Sequence, residues 1–405
     1  MLNAVSAPVS PRDEFLPQRE PTLSLMLVVA LIGVSAFINV YSVQSILPLL
    51  IEDFQVSAVA AGATVGVTVL AIAMISPLIG MLSDAIGRRG LIAFSVFFLS
   101  VPTGLIYFAD SIETISVYRF MQGLVVPGIA VVVMAYISEE YYGKAMAKLM
   151  SAYIAGTVLG GFLGRFVVGH LSDFFGWREA YLIMAAMNLC ASVLVFAKLP
   201  KSQYFVADRN IRHAFSVLGS HLRNRQIVAA CCVGACLLFS LVGCFTYINL
   251  YLAQEPFSLT PAGLANIFAV YLIGVVVTPV SGRVIGRFGS RRTVVAALIF
   301  SSCGLLLTQL SSLQGIIMAL AIASTGIFIT QSAAVSFAAS NAREGRSLAA
   351  GLYNMSYYFG GFVGAWVCGY AYMYGAWRGT VAVLVLVQMI AMGIAWKFMC
   401  PSGEQ

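Results

Sequence analysis

The chain has 405 residues, 60% of them hydrophobic and only 10% charged, where a soluble chain carries roughly a quarter charged. Lipid rather than water must therefore surround most of it. The net charge of +7 reads as the basic loops of a membrane protein, which sets nucleic acid aside as a partner.

A polar tail, residues 1–22, holds Pro8, Pro11, Pro17 and Pro21. The apolar run that follows, 23–50, is too long for the core of a cleaved signal peptide and reads as a retained first helix. Eleven further runs follow at 60–82, 91–108, 116–138, 149–169, 180–197, 227–252, 262–282, 293–311, 313–339, 349–373 and 380–396. Each is close to the ~20 residues a helix needs to cross the hydrocarbon core. Each should be helical, because lipid leaves no other partner for backbone groups.

An even number of spans puts both termini on one side. Giving the termini and alternate loops to the cytoplasm collects there all of the 23 Lys and Arg except Arg119, Arg165, Arg178 and Arg378. That bias orients the chain with both termini cytoplasmic. The longest connection, 198–226, divides six spans from six. Within it Ile211, Phe215, Leu218 and Leu222 recur at helical spacing beside Arg212, His213 and Arg223. The stretch is either a short amphipathic helix on the inner leaflet or a plain tether. The expected organisation is a cytoplasmic tail (1–22), a bundle over 23–197, the linker 198–226, a bundle over 227–396 and a tail (397–405).

The chain repeats. A shift of 200 residues lays Tyr153 on Tyr353, Gly160-Gly161-Phe162 on Gly360-Gly361-Phe362, Gly164 on Gly364, Gly169 on Gly369 and Trp177-Arg178 on Trp377-Arg378. A shift of 202 lays Pro77 on Pro279, Gly80 on Gly282, Gly87 on Gly289 and Arg89 on Arg291. The halves are therefore duplicated units. Parallel six-plus-six repeats place a substrate site between them, exposed alternately as they rock. The eight cysteines bring no His, Asp or Glu with them where they cluster at Cys231, Cys232 and Cys236. They read as small apolar core residues, with no metal and no disulfide framework implied.

Between the second and third spans stand Gly80, Ser83, Asp84, Gly87, Arg88 and Arg89. The loop resembles the G-x-L-x-D-x-x-G-R-R motif of the major facilitator superfamily. That likeness implies an all-α membrane protein of twelve transmembrane helices in two pseudo-symmetric six-helix bundles. It also gives Asp84, Arg88 and Arg89 a charge latch that holds the outward-facing state. The second copy has Gly286 where Asp84 would fall, so only the first latch is expected to be complete. Arg119-Phe-Met-Gln122-Gly123 is similar to the R-x-x-Q-G motif of the superfamily's exporters. The likeness implies proton coupling or cavity electrostatics for Arg119 and Gln122, the alternative being an arginine that snorkels to the outer surface. Gly156, Gly160, Gly161 and Gly164 resemble the drug/proton antiporter motif, with Gly161 in place of proline and Arg165 in place of the last glycine. They also suit close helix packing. Arg165 joins Arg119 as an intramembrane charge. Gln44 to Pro48 resembles that branch's first-helix motif.

In this superfamily spans one, four, seven and ten line the cavity, which makes Asn39, Gln44, Tyr247, Asn249 and Gln331 candidate substrate contacts, and span eleven adds Asn354 and Tyr357. For each, a bond to a neighbouring helix is as good a reading. No Asp, Glu or Lys falls inside the twelve runs, which favours a neutral or weakly anionic substrate over a cation. Asp84, Asp173 and His170 could carry protons, though each also reads as a helix-end residue. No phosphate-binding loop and no catalytic constellation stands in the chain, so neither an enzyme nor a cofactor is expected. The reading is a monomeric, proton-coupled exporter in a bacterial-type inner membrane. The alternatives are a facilitator or importer of sugars, amino acids or organic anions, and a sensor that does not transport.

Overall fold

The computed structural model describes residues 20–203, 219–342 and 346–399. Ile211, Phe215 and Leu218, the core of the expected amphipathic stretch, lie outside the described residues. Among the described residues every regular element is a helix.

Ten helices are long and apolar enough to cross a membrane, and the pair Leu23–Ile38 and Ser42–Phe54, bent by 47°, adds one crossing. The last helix, Arg346–Phe398, has 53 residues, about 80 Å at 1.5 Å per residue. That length makes two crossings, and the backbone breaks at Gly375 and Ala376, where Ala376 takes φ 46°. The total is the expected twelve. After span 1 come Ala58–Ile86, Arg88–Phe108, Ile112–Glu140, Gly143–Phe175 and Trp177–Lys198 as spans 2 to 6. Arg225–Ala253, Pro261–Phe288, Ser290–Leu307 and Leu313–Asn341 are spans 7 to 10, and residues 346–374 and 377–398 are spans 11 and 12.

Two expectations need correction. The helices outrun the apolar runs: span 5, expected over 149–169, covers Gly143–Phe175, because charged end turns with Lys144, Lys148 and Asp173 are helical too. Span 1 is not continuous. Its first helix ends at Ile38, a 3₁₀ turn occupies Ser42–Ile46, and helix resumes at Leu47 with Pro48 in its first turn. Proline has no N–H to give the carbonyl four residues back, so Pro48 leaves the Gln44 carbonyl without the i+4 donor of an α-helix.

The repeat is visible in the packing. A Cβ on Gly160 would strike Val34 and one on Gly164 would strike Ile38, so span 5 lies against span 1 backbone to backbone. Gly360 and Gly364 meet Ala235 and Phe239 of span 7 in the same way. Gly169 abuts the carbonyl of Pro261 at the start of span 8, and Gly369 abuts Val59 at the start of span 2. Gly87 and Gly289 both adopt positive φ, 101° and 78°, the turn that joins spans 2 to 3 and 8 to 9 and that suits glycine.

These contacts make the two ends of the molecule differ. One end carries Arg88, Arg89, Lys144, Lys198, Arg225, Arg287 and Arg292 and is called the basic end here; the other carries Asp53, Asp110, Asp173 and Glu179. At the acidic end the halves touch along spans 1 and 7, 2 and 11, and 5 and 8. Asp173 of span 5 accepts from the Ala262 N–H of span 8 at 3.3 Å. At the basic end, Cβ atoms added at Gly80, Gly282, Gly286 or Gly351 would meet nothing within 4 Å. Leu78 and Ile86 of span 2 are more than half exposed toward that end. The halves are closed at one end and apart at the other.

Candidate functional site

Both intramembrane arginines are fully buried, and neither has a carboxylate among its described partners. They solve that problem differently.

Arg119 sits where span 1 breaks. The break strands carbonyls at the C-terminal, negative end of the first helix, and Arg119 gathers them. Nη1 donates to the Asn39 carbonyl at 2.5 Å and to Gln122 Oε1 at 2.6 Å, Nη2 donates to the Val40 carbonyl, and Nε donates to the Thr64 carbonyl at 3.3 Å. Gln122 Nε2 then donates to Thr103 at 2.8 Å, and Thr103 to Asn39 Oδ1 at 3.0 Å. Asn39 and Asn188 exchange amide bonds at 3.2 Å. Spans 1, 2, 3, 4 and 6 are thus tied by one buried polar network inside the first half. Arg119 does not snorkel, and Asn39 is drawn into this core rather than into the space between the halves. Gly123 completes the motif by letting span 4 press on the Thr68 backbone of span 2.

Arg165 lies on the seam. Its Nε donates to Gln44 Oε1 at 2.8 Å and Nη1 to the Gly161 carbonyl at 2.5 Å. Its guanidinium carbon stands 4.7 Å from the ring centre of Tyr41, 4.4 Å from Phe268 and 4.5 Å from Tyr271. Each such contact is worth about 0.5–2 kcal/mol, with the upper figure for desolvated pairs. Phe268 and Tyr271 belong to span 8, so two of the three rings come from the other half. Tyr271 is close to the guanidinium, yet no acceptor meets Nη2 in hydrogen-bond geometry.

Gln44 extends the seam. Its Nε2 donates to Thr246 Oγ1 at 2.9 Å, and its carbonyl, freed by Pro48, accepts from Asn249 Nδ2 at 3.0 Å. Asn249 Oδ1 is buried without a partner. Tyr247 donates to the Ala365 carbonyl and stacks on Tyr372. Gln44, Tyr247 and Asn249, expected as cavity residues, close the acidic end instead.

The remaining candidates stand nearer the gap. Gln331, Asn354 and Tyr357 are half-buried. Gln331 accepts from the Tyr353 hydroxyl at 2.7 Å, and Tyr357 stacks on Tyr353 with centres 6.2 Å apart. Tyr357 also lies near Tyr41 and Tyr271, and Tyr358 near Tyr41 and Tyr153. Tyrosines of both halves therefore share this space.

The motif loop at the basic end is folded back on its own half. Arg88 grips Glu139 with two bonds, 2.5 and 3.0 Å, and reaches Ser83. Arg89 donates to the carbonyls of Leu199 and Phe196 at 2.7 and 2.8 Å. Asp84 falls in the helix Ala58–Ile86, and its side chain lies outside the described residues. Gly161 departs from its three companions. The nearest atom to a Cβ there is Arg165 Nη1 at 3.8 Å, so Gly156, Gly160 and Gly164 are packing glycines and Gly161 is not.

Sequence reasoning missed Phe268 and Tyr271, since an aromatic residue in an apolar span carries no sign of a charge opposite it. It also missed Thr103 and Asn188, although a polar amide such as Asn188 inside an apolar run was a usable signal.

Known proteins agree with this architecture. The sequence pattern of the Major Facilitator Superfamily matches residues 29–365 and 252–404. The uncharacterized MFS-type transporter YybF of Bacillus subtilis is 30% identical over 90% of this chain and 90% of its own. The inner membrane transport protein YnfM of Escherichia coli is 29% identical over 95% and 93%. The chloramphenicol resistance protein CraA of Acinetobacter baumannii is 26% identical over 71% and 69%. Among solved structures, a bacterial homolog of the human lysosomal transporter Spinster, inward-facing and unoccupied, superimposes with TM-score 0.76 at 15% identity, covering 92% of this chain and 96% of that one. With the family pattern over nearly its whole length, the chain belongs to the Major Facilitator Superfamily of membrane transporters and is not an enzyme.

Proposed function

We propose that the chain is a proton-coupled exporter of a small neutral or weakly anionic molecule, working by alternating access. The observation that carries this reading is the asymmetry of the seam. The halves are held together at the acidic end by Arg165, Gln44, Thr246 and Asn249, while the basic end stands apart. By the positive-inside bias the basic end and both termini are cytoplasmic, so this is an inward-open state in a bacterial-type inner membrane. Residues 23–197 and 227–396 rock against each other, with 198–226 as their tether. When the cytoplasmic end closes, Asp84, Arg88 and Arg89 leave their own half and latch onto the other.

The substrate rests among Gln331, Asn354, Tyr357 and Tyr358, since neutral hydrogen-bonding groups and aromatic rings suit a small molecule with few charges. Among the described residues the carboxylates lie at helix ends, which disfavours a cation. Export is supported by the likeness to CraA, a protein named for chloramphenicol resistance. Asp84, Asp173 and His170 are the candidate proton carriers, and His170 is already engaged through Nδ1 with the Phe166 carbonyl at 2.9 Å.

The test uses inside-out vesicles energised to acidify the lumen and loaded with a pH-reporting dye. Panels of sugars, amino acids, organic acids and lipophilic drugs are added in turn. A substrate-dependent rise in lumenal pH establishes proton exchange and names the substrate class. Labelled compounds that equilibrate through the protein with no change in lumenal pH leave a facilitator.

A further inference from the structure

At the basic end the second half carries a groove of about 400 Å³ between spans 8 and 9. Val284, Phe288, Ala296, Phe300 and, from span 10, Ile329 line it together with the exposed Arg292. Among the described residues span 9 packs chiefly against span 10 and the helix of spans 11 and 12, and less against span 8. The groove therefore lies on the perimeter of the molecule, where acyl chains are, and not in the gap between the halves. Phe288 and Phe300 are 52% and 47% exposed.

The repeat-related positions of the first half carry different side chains. Under the 202-residue shift Ala296 falls on Phe94, Phe300 on Phe98 and Arg292 on Gly90. Phe94 and Phe98 lie against each other with ring centres 4.3 Å apart. In the second half an alanine replaces the first ring, leaving space beside Phe300, and an arginine appears at the mouth. The charge environment changes as well. The first half balances Arg88 with Glu139 at 2.5 Å and carries Asp84. The second half has Gly286 in place of Asp84, and no carboxylate among the described residues pairs with Arg283, Arg287 or Arg292. A cavity opened by a smaller side chain and a cation with no counter-charge among the described residues occur at one place.

We propose that this groove binds one anionic phospholipid, an acyl chain lying against Phe288, Ala296 and Phe300 and the phosphate on the guanidinium of Arg292. An apolar trough in contact with bilayer fills with the apolar matter beside it, and a guanidinium recognises phosphate through its fork of donors.

The test titrates the purified, delipidated full chain with phosphatidylglycerol or phosphatidylcholine of identical acyl chains, counting retained lipid by native mass spectrometry. The wild type should hold one phosphatidylglycerol, preferred over phosphatidylcholine roughly fivefold, the factor one membrane-surface arginine gives. Arg292→Ala should erase the preference, and Ala296→Phe, which copies the first half, should weaken retention of both lipids. Millimolar inorganic phosphate should not displace the bound lipid. Equal retention of the two lipids by the wild type, a preference that survives Arg292→Ala, retention unchanged in Ala296→Phe, or displacement by phosphate alone would each overturn the proposal. Both variants must elute as the wild type does in size-exclusion chromatography, and Ala296→Leu stands in if the phenylalanine variant does not.

Discussion

Arg119 and Arg165 are two buried guanidiniums in one membrane protein, and they are held in opposite ways. Arg119 is surrounded by residues of its own half, and its donors end on the Asn39 and Val40 carbonyls at a helix break and on the Thr64 carbonyl of span 2. Arg165 takes two of its three rings from the other half and keeps one nitrogen without an acceptor. A charge satisfied within one rigid body is indifferent to how the two bodies move. A charge satisfied across the seam counts toward one state only. The first arginine should therefore govern whether the fold exists, and the second which state it occupies.

The largest effect expected is that of Arg119→Ala. It leaves the Val40 carbonyl and Gln122 Oε1 in the interior without the donor that Arg119 gave them, at about 1–3 kcal/mol for each buried group left without a partner. The loss should total roughly 4 kcal/mol, within the range for removing one partner from a buried charged network. The temperature at which the monodisperse chromatographic peak is lost in detergent should fall steeply. Arg119→Lys should not restore it, because an ammonium cannot fork between carbonyls of spans 1 and 2. Full rescue by lysine would mean that charge alone matters at this site, and the comparison would fail on its first side.

Next in size is Gly164→Ala, which places a methyl group into the Ile38 backbone one residue before the break that Arg119 staples. Overpacking of this kind costs typically 1–3 kcal/mol. Gly364→Ala should cost a similar amount against Phe239 in span 7. Thermal denaturation of the two variants side by side checks whether the repeated sequence has kept a repeated packing role. A Gly364 variant as stable as wild type would show that the second half relaxes where the first cannot.

The fold was legible in the sequence for physical reasons that differ from those governing the site. Apolar length and the placement of Lys and Arg report on the bilayer, which acts on every span alike, so twelve crossings and the glycine repeat at Gly160 and Gly360 could be read directly. The partners of Arg119 could not. They are backbone carbonyls exposed by a break at Asn39 to Tyr41, where no glycine or proline stands. Pro48 was legible as a motif residue, but its consequence, a free Gln44 carbonyl taken by Asn249 two hundred residues away, depends on how the halves meet. The same holds for Tyr247 and Asn249. Their polarity was visible, while the side of the seam on which they close is a property of the assembled state.

Arg165→Ala tests the other side of the comparison. Loss of the span 8 rings removes attraction specific to the state closed at the acidic end, at about 0.5–2 kcal/mol per contact. The population open at that end should rise about tenfold or more, since the two contacts sum to about 1–4 kcal/mol and 1.4 kcal/mol is a factor of ten. Spin labels at Gln55 and Gln254, both exposed at that end, report the change in a background where native cysteines are replaced by serine. The longer distance should gain weight, with Arg165→Lys falling between alanine and wild type. An unchanged distance distribution would remove Arg165 from the seam's energetics, whatever the variant did to transport.

The smallest effect is the sharpest control. Gly161 lies in the same row as Gly160 and Gly164, and a substitution that mattered because the row is a motif would affect all three. The structure separates them. A Cβ at Gly161 meets only Arg165 Nη1, at 3.8 Å, which is ordinary contact, and its carbonyl, the acceptor for that nitrogen at 2.5 Å, is kept by alanine. Alanine also favours the helix by up to about 1 kcal/mol over glycine. Gly161→Ala should therefore leave the label distances as in wild type and raise thermal stability slightly, while Gly160→Ala, striking Val34, lowers it. A shift toward the open distance in Gly161→Ala would mean that Arg165 is seated so tightly between Gly161 and the span 8 rings that no displacement of its guanidinium is tolerated. The seam would then depend on the exact position of that group and not merely on its charge and the rings around it.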